Sequence, residues 1–244
     1  MMPEINEKLE NVKKRIKTLL SQMFETAIVD GIATQNFAKH IQIKAEDTPD
    51  EAPPDLDNIS EGKHICFSDD EMNTLWENVD KVPYVDIMLI NCYLGMRPQE
   101  LGLIKLVNID MENWIIIGGL KTASGKHRLI PVHTRIRPYV QRWYDRAVEV
   151  GSEYLFYNIV RGNVTTLTYN AYRYNMNKVK KKLELNQEHK PHDCRVQFVT
   201  MAKHAGASDY AIKRVAGHQI SDVTESVYTK RSFEEIRAEI EKIK

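Results

Sequence analysis

Apolar side chains recur at helical spacing along the first thirty residues. They are Ile5, Leu9, Val12, Ile16, Leu19, Met23 and Ala27, and Gly31 ends the pattern. This pattern predicts one long amphipathic helix over residues 5–28. The stripe could form a coiled-coil seam, but Phe24 and Ile28 widen it, which favours packing in a small helical bundle. A second short helix is expected near residues 34–41.

The next segment changes in character. Residues 45–58, AEDTPDEAPPDLDN, combine six carboxylates with three prolines and offer almost nothing to bury. This composition is typical of a linker or a flexible loop. Ser68 and Glu71 then have the spacing of a capping box, which predicts the start of a helix and of a larger domain.

Residues 84–96 are apolar on most sides, which predicts a buried helix that ends at Gly95. Pro98 fits the first position of a further helix and leaves Arg97 at the junction. Between residues 104 and 132 the period approaches two, in KLVNID, WIIIGG and HRLIPV, which predicts three antiparallel strands. Helical spacing returns from residue 134, and a capping box at Ser232 and Glu235 predicts a last helix over 232–243. The predicted fold class is mainly α with a small three-stranded antiparallel sheet, an α+β fold.

Composition adds bounds to this picture. The chain of 244 residues is 42% hydrophobic and 28% charged, as in a globular protein with one large domain or two unequal ones. No apolar run of about 18 residues and no apolar signal core occur, so we expect a cytoplasmic protein without a membrane span. Cys194 lies near His189 and His192, but no second ligand pair at zinc spacing exists. We therefore expect no metal and no cofactor.

The formal net charge of zero hides an asymmetry. Residues 1–65 hold 8 basic and 12 acidic side chains, whereas residues 160–230 hold 12 basic and 6 acidic ones. The basic stretch includes the run KVKKK, which makes Lys178, Lys180, Lys181 and Lys182 candidate DNA contacts. A lysine run on a helix is most often a solvated face, so the run permits nucleic-acid binding without requiring it.

Short polar motifs interrupt the helical part of the chain. They are GMRPQEL with Arg97 and Glu100, GGLKTASGKHRLIPV with Lys121, HDCR with His192 and Arg195, and GH with His218 ahead of Tyr228. The separations are 24 residues from Arg97 to Lys121, 23 from Arg195 to His218 and 10 from His218 to Tyr228. In this order and spacing, the motifs resemble the catalytic domain of tyrosine recombinases, the phage and conjugative-transposon integrase family.

The chemistry of the two arginines is coherent without the resemblance. Cleaving a phosphodiester through a protein nucleophile requires fixed cations around a phosphorus that gains negative charge. Arg97 and Arg195 can each bind two phosphate oxygens and stay charged, and Glu100 is expected to orient Arg97. His192 shares a helix face with Arg195, so it is a candidate general base near a tyrosine hydroxyl.

The resemblance implies roles for the remaining motif residues. Tyr228 would be the nucleophile that forms a 3′-phosphotyrosine, Lys121 the general acid for the leaving 5′ oxygen, and His218 a hydrogen-bond donor to the phosphate. Lys126 and Arg128 lie in the same hairpin and are alternative candidates for the general acid. Lys121 is favoured because its separation from Arg97 in the sequence is the one that the resemblance implies. Lys126 and Arg128 therefore remain candidate DNA contacts.

The resemblance also implies a domain organisation and partners. Residues 1–45 would be the C-terminal part of a helical core-binding domain, residues 46–65 an acidic linker, and residues 66–244 the catalytic domain. The chain would then be a fragment of a longer protein or an unusually short member of the family. Its expected partners are double-stranded DNA, other protomers in a synaptic tetramer joined through the C-terminal helix, and in some reactions a DNA-bending accessory protein. The expected location is the nucleoid of a bacterial host.

Two other functions share parts of this pattern. A type IB topoisomerase would use the same side chains to relax DNA, and a non-catalytic fragment would bind sites without cutting them. For Tyr228 alone, packing in a short helix beside Val223 and Val227 is a further alternative. The sequence does not decide whether Tyr228 serves its own active site or that of a neighbouring protomer.

Overall fold

The computed structural model describes residues 2–41, 64–118, 128–217 and 232–244, with side chains described from residue 12 onward except at position 14. The chain divides into two compact units, Met1–Ser60 and Glu61–Lys244. The predicted linker falls almost entirely outside the described residues, so the division into core-binding part, linker and catalytic domain stays a prediction. Within the described ranges, no helix is both long enough and apolar enough to cross a membrane.

The first unit consists of helix α1, Met2–Val29, and a 3-10 helix, Phe37–His40. Asn36 begins the 3-10 helix and its side chain donates a hydrogen bond of 3.0 Å to the carbonyl of Ser21. The rings of Phe24 and Phe37 meet edge to face with centroids 5.9 Å apart. Both predicted helices are confirmed, and the apolar stripe of α1 at Val12, Ile16, Leu19 and Met23 is exposed.

Within the described residues, the second unit consists of helices and short strands. Its helices are α2 (Asp69–Glu77), α3 (Val85–Leu94), α4 (Pro98–Leu101), α5 (Arg137–Glu149), α6 (Tyr169–Lys182), α7 (Asp193–His204), α8 (Asp209–Ala216) and α9 (Phe233–Ile240). Its strands are β1 (Ile109–Asp110), β2 (Ile115–Gly118), β3 (Arg128–Pro131), β4 (Tyr157–Val160) and β5 (Asn163–Thr166).

Helix α3 is the centre of this unit. Every residue from Val85 to Leu94 is buried, as expected for a helix that is apolar on all sides. Its main neighbour is α7, and Gly95 caps α3 in the left-handed conformation with φ of 60°. A Cβ at Gly95 would lie 2.3 Å from the ring of Phe198 on α7. The glycine therefore allows α7 to approach the end of α3, where the GMRPQEL motif begins.

Strands β1, β2 and β3 form the predicted antiparallel sheet. Ile116 pairs with Ile109 on one side and with Ile130 on the other, and Gly118 pairs with Arg128. A second, two-stranded sheet of β4 and β5 was not predicted, because we expected only helices and turns after residue 134. The segment carries a hairpin signal, since apolar and polar residues flank the Arg161-Gly162 turn, where both residues have positive φ. Its apolar residues Ile159 and Val160 are adjacent and both exposed, so this hairpin lacks the alternation of buried apolar and exposed polar residues that marks a strand.

Helix α9 packs on α8 and β3 of the second unit. The predicted capping box at Ser232 and Glu235 is present, and the helix ends slightly earlier than expected. Its apolar face buries Ile236 and Ile240, and Ile243 follows them into the core. The Tyr93 hydroxyl donates to the carbonyl of Lys244 at 3.0 Å, which ties the end of the chain to α3.

Candidate active site

Arg97 occupies the junction between α3 and α4 that the sequence predicted. Its backbone is extended, with φ of −65° and ψ of 141°, because Pro98 begins the next helix. One guanidinium nitrogen donates to Oε1 of Glu100 at 3.0 Å, and the backbone N–H of Arg97 donates to Oε2. The side chain of Arg97 remains 28% exposed, so it can meet a ligand while Glu100 orients it.

Glu100 holds a second arginine that the sequence analysis placed elsewhere. Arg128 on β3 donates to Oε2 of Glu100 at 2.7 Å, and its Nε donates to the carbonyl of Val215 at 2.8 Å. Burial raises the pKa of Glu100, but the hydrogen bonds and charges of Arg128 and Arg97 outweigh it and leave the pKa below its usual value. Glu100 is therefore a carboxylate at neutral pH. Arg128 was a candidate DNA contact, but its side chain is buried and bound to Glu100 and Val215, so it belongs to the arginine cluster and not to the exposed surface.

Arg195 reaches the same region from α7. It is 3% exposed, and one guanidinium nitrogen donates to the carbonyls of Gly95, at 2.9 Å, and Ala216. Burial, followed by the positive charge of Arg97, lowers its pKa to about 10, so Arg195 stays charged at neutral pH. Among the described residues, Glu100 forms ion pairs with Arg97 and Arg128 and its negative charge also acts on Arg195, so three arginines lie around this carboxylate.

Two carbonyls at the end of α8 hold these arginines in place. Val215 accepts from Arg128 and Ala216 accepts from Arg195. Gly217 follows with φ of 72°, and a Cβ there would lie 3.0 Å from the Arg128 guanidinium. The chain therefore leaves the arginine cluster at Gly217 and enters the segment that contains His218 and Tyr228.

His192 stands at the start of α7, three residues before Arg195, as the motif predicted. Burial lowers the pKa of His192, and the nearby charges of His64, Arg195 and Arg97 lower it further, while Asp193 opposes them. A depressed pKa keeps the imidazole neutral near pH 7. A neutral ring nitrogen can accept a proton, which suits the predicted role of general base.

The structure adds residues that the sequence analysis missed. His64 lies with its ring centroid 4.5 Å from that of His192, and its Nδ1 lies 2.9 Å from Oδ1 of the buried Asp193. His189 bridges Asp193 and Glu71, at 3.4 Å and 3.2 Å. Asp193 lies inside the HDCR motif and could have been noticed from the sequence. No local pattern links His64 to His192, which lies 128 positions later in the chain.

The lysine run divides between surface and interior. Lys178, Lys181 and Lys182 are exposed on α6. Lys180 is 3% exposed, and its ammonium donates to the carbonyls of Gln187 and His189. The expectation that Lys180 contacts DNA is therefore wrong, because its charge anchors the loop before α7.

The remaining predicted site residues lie outside the described part of the chain. They are Lys121 and Lys126 in the β2–β3 connection, and His218 and Tyr228 between α8 and α9. Strand β2 ends at Gly118 and β3 begins at Arg128, on either side of the segment with Lys121 and Lys126. Gly217 caps α8 directly before the segment with His218 and Tyr228. Their roles stay predictions.

Comparison with known proteins agrees with this geometry. The sequence profile described as the phage integrase family matches residues 66–235. The Tn1549 transposon integrase in complex with circular intermediate DNA has a TM-score of 0.60 at 21% identity, covering 95% of this chain and 78% of that one. The XerA recombinase has a TM-score of 0.54 at 21% identity, covering 71% and 63%.

A lambda integrase dimer bound to a COC′ core site has a TM-score of 0.59 at 17% identity, covering 94% of this chain and 62% of that one. Among curated protein sequences, none matches this chain significantly. The structural matches establish the fold, and the profile match covers well over half of the chain. The chain belongs to the phage integrase family and is a site-specific DNA recombinase of the tyrosine type.

Proposed function

We propose that Arg97 and Arg195 bind the two non-bridging oxygens of the scissile phosphate. The observation that supports this most strongly is the arginine cluster itself. Arg97 is half-buried, Arg195 is buried near enough for the charge of Arg97 to lower its pKa, and Glu100 fixes Arg97 without cancelling the positive charge of the site. Arginine forks bind tetrahedral anions in two-point contacts, and cations that are already fixed stabilise developing charge without reorganisation.

The proposed reaction is a transesterification. The Tyr228 oxygen attacks the phosphorus, the bond to the 5′ oxygen breaks, and a 3′-phosphotyrosine forms. The hydroxyl proton of Tyr228 passes to the neutral His192, and the ammonium of Lys121 gives a proton to the leaving 5′ oxygen. His218 donates a hydrogen bond to the phosphate. A 5′-hydroxyl of a second strand reverses these steps and rejoins the DNA.

The proposed substrate is double-stranded DNA. The matched Tn1549 and lambda integrases are described in complex with DNA, the latter as a dimer on its core site. The exposed Lys178, Lys181 and Lys182 on α6 offer charge for phosphate contacts. We further propose that recombination uses a synaptic tetramer in which α9 contacts a neighbouring protomer, and that a DNA-bending protein assists some reactions.

The test of this chemistry is trapping of the covalent intermediate. A nicked duplex with the end sequence of the mobile element that carries the gene releases a short strand on cleavage and cannot be religated. The expected result is a protein–DNA adduct with the natural chain and none with Tyr228→Phe. Arg97→Ala and Arg195→Ala should each reduce the rate of adduct formation at least 100-fold, about the effect of losing one such donor.

The same assay separates the alternative functions. Strand exchange between two labelled duplexes supports recombination, whereas relaxation of supercoiled DNA without exchange would indicate topoisomerase activity. Binding without any adduct on every end sequence would indicate a non-catalytic fragment and would contradict the proposed roles.

A further inference from the structure

A chain of polar contacts leads from α2 to the ring of His192. Glu71 on α2 contacts Nε2 of His189 at 3.2 Å, and Nδ1 of His189 lies 3.4 Å from Oδ2 of Asp193. The other oxygen of Asp193 lies 2.9 Å from Nδ1 of His64. Neither Asp193 nor His189 is more than 2% exposed, so the contact between these two side chains is shielded from water. The last member, His64, lies against His192 with ring planes tilted by 35°.

The side chain of His64 is held in position by Asp193, which is itself fixed by its neighbours. Asp193 also accepts the backbone N–H of Lys190 at 2.8 Å, which holds its carboxylate at the start of α7. The ring of Phe67 stacks on His189 at 3.9 Å, which fixes the middle of the chain of contacts. A carboxylate only accepts hydrogen bonds, so Nδ1 of His64 carries the proton between them. Any further proton on His64 must therefore bind at Nε2 and place a positive charge beside His192.

We propose that His64 is a positioning residue for the strand-cleavage reaction: anchored by Asp193, it holds the His192 ring in place and sets the polar surroundings of that ring. His64 touches neither the phosphate nor the tyrosine in this mechanism and acts through His192. The proposal rests on the role of His192 as proton acceptor under the proposed function. His64 itself precedes the region that the family profile matches, residues 66–235.

The other charges around His192 support this assignment. The charged or titratable groups that face its ring within the described ranges are His64 from the segment before α2, Arg97 from the α3–α4 junction, and Asp193 and Arg195 from α7. Asp193 stabilises the protonated form of His192, whereas the two arginines oppose it. Among the charged neighbours, the strongest contribution to lowering the pKa of His192 comes from His64.

The direct test is a titration of His192 by NMR in the full 244-residue chain labelled at histidine. His64→Gln keeps an amide donor for Asp193 but carries no charge, and His64→Ala removes both. The pKa of His192 should rise by about half a unit or more in both variants, since a neighbouring like charge is lost. His204→Ala, an exposed histidine at the other end of α7, should leave it unchanged. An unchanged His192 titration in both His64 variants would overturn the proposal.

A second readout links the effect to the reaction. The rate of adduct formation on the nicked duplex should fall on the acidic side, where His192 becomes protonated. In His64→Gln this acidic limb should move to higher pH by the same amount as the His192 pKa, while the rate at high pH stays within about threefold of the natural rate. An acidic limb that does not move would also overturn the proposal. If the natural chain forms no adduct at any pH, the proposed function fails, and the NMR titration still decides whether the two rings are coupled.

Discussion

Glu100 is the carboxylate that two arginines of the cluster share. It accepts hydrogen bonds from Arg97 at 3.0 Å and from Arg128 at 2.7 Å, and its charge also acts on Arg195. The sequence predicted the contact with Arg97, because three residues separate the two. It did not predict the contact with Arg128, which lies on another element. When two charged residues are far apart in sequence, the packing of the elements that carry them decides whether they pair. Local sequence patterns do not contain this information.

Replacing Arg128 should therefore damage both stability and chemistry. Arg128→Ala removes one of the two arginine partners of the buried Glu100 carboxylate and the side-chain donor to the Val215 carbonyl, and we expect a loss of about 3 kcal/mol in the free energy of unfolding. Arg142→Ala is the matched control, because its partner Asp80 is 63% exposed and the change should cost less than about 1 kcal/mol. Denaturant unfolding of both variants measures the difference. Equal losses would show that Arg128 behaves as a surface residue.

Among the elements, the end of α8 leads from the arginine cluster to the segment that contains His218 and Tyr228. Its last carbonyls hold Arg128 and Arg195, and Gly217 turns the chain away in a left-handed conformation. The turn brings the chain to position 218 directly after the contact with the cluster. The last carbonyls of this short helix thus hold two arginines directly before the segment that contains His218.

This arrangement gives Gly217→Ala a specific effect. A Cβ at this position would press on the Arg128 guanidinium at 3.0 Å, and the backbone has φ of 72°. Gly151→Ala has the same backbone strain, with φ of 69°, and no atom within 4 Å of the added Cβ. Both variants should lose about 1 kcal/mol of stability. Only Gly217→Ala should lose adduct formation as well, by at least tenfold, and equal cleavage by the two variants would contradict this account.

Periodicity predicted helix α1, whose apolar stripe is exposed, as well as elements whose apolar side chains are buried. Helix α3, the three-stranded sheet and both capping boxes lie where the pattern placed them. The β4–β5 hairpin was missed because its apolar side chains face outward and give no buried stripe. Lys180 was assigned to the surface because a run of lysines does not show which member faces inward. Both errors concern side chains whose environment is set by elements distant in sequence.

The molecule as a whole carries its C-terminal helix on its own catalytic unit. Glu241, just after α9, accepts hydrogen bonds from the backbone and hydroxyl of Thr134 and from Arg137, at 2.9–3.2 Å. These polar contacts accompany the buried Ile236 and Ile240. The same surface would receive α9 of a neighbour if protomers exchange this helix, as we propose for the synaptic assembly.

Weakening this contact should therefore affect assembly more than cleavage. In Glu241→Ala we expect strand exchange to fall at least tenfold, while adduct formation at a single site changes by less than about threefold, because only exchange requires four joined protomers. Glu234→Ala, 76% exposed on the same helix, is the control and should change neither. Gel analysis of both products provides the measurement. A parallel loss of cleavage and exchange would argue that α9 serves only its own active site.

The central claim is that one tyrosine becomes linked to the 3′ end of DNA at this arginine cluster. Mass spectrometry of the trapped adduct after nuclease and protease digestion tests it most directly. The predicted result is a nucleotide remnant joined through its 3′-phosphate to Tyr228, absent when Arg97 or Arg195 is replaced by alanine. A remnant on another residue, or a linkage through a 5′-phosphate, would contradict the account.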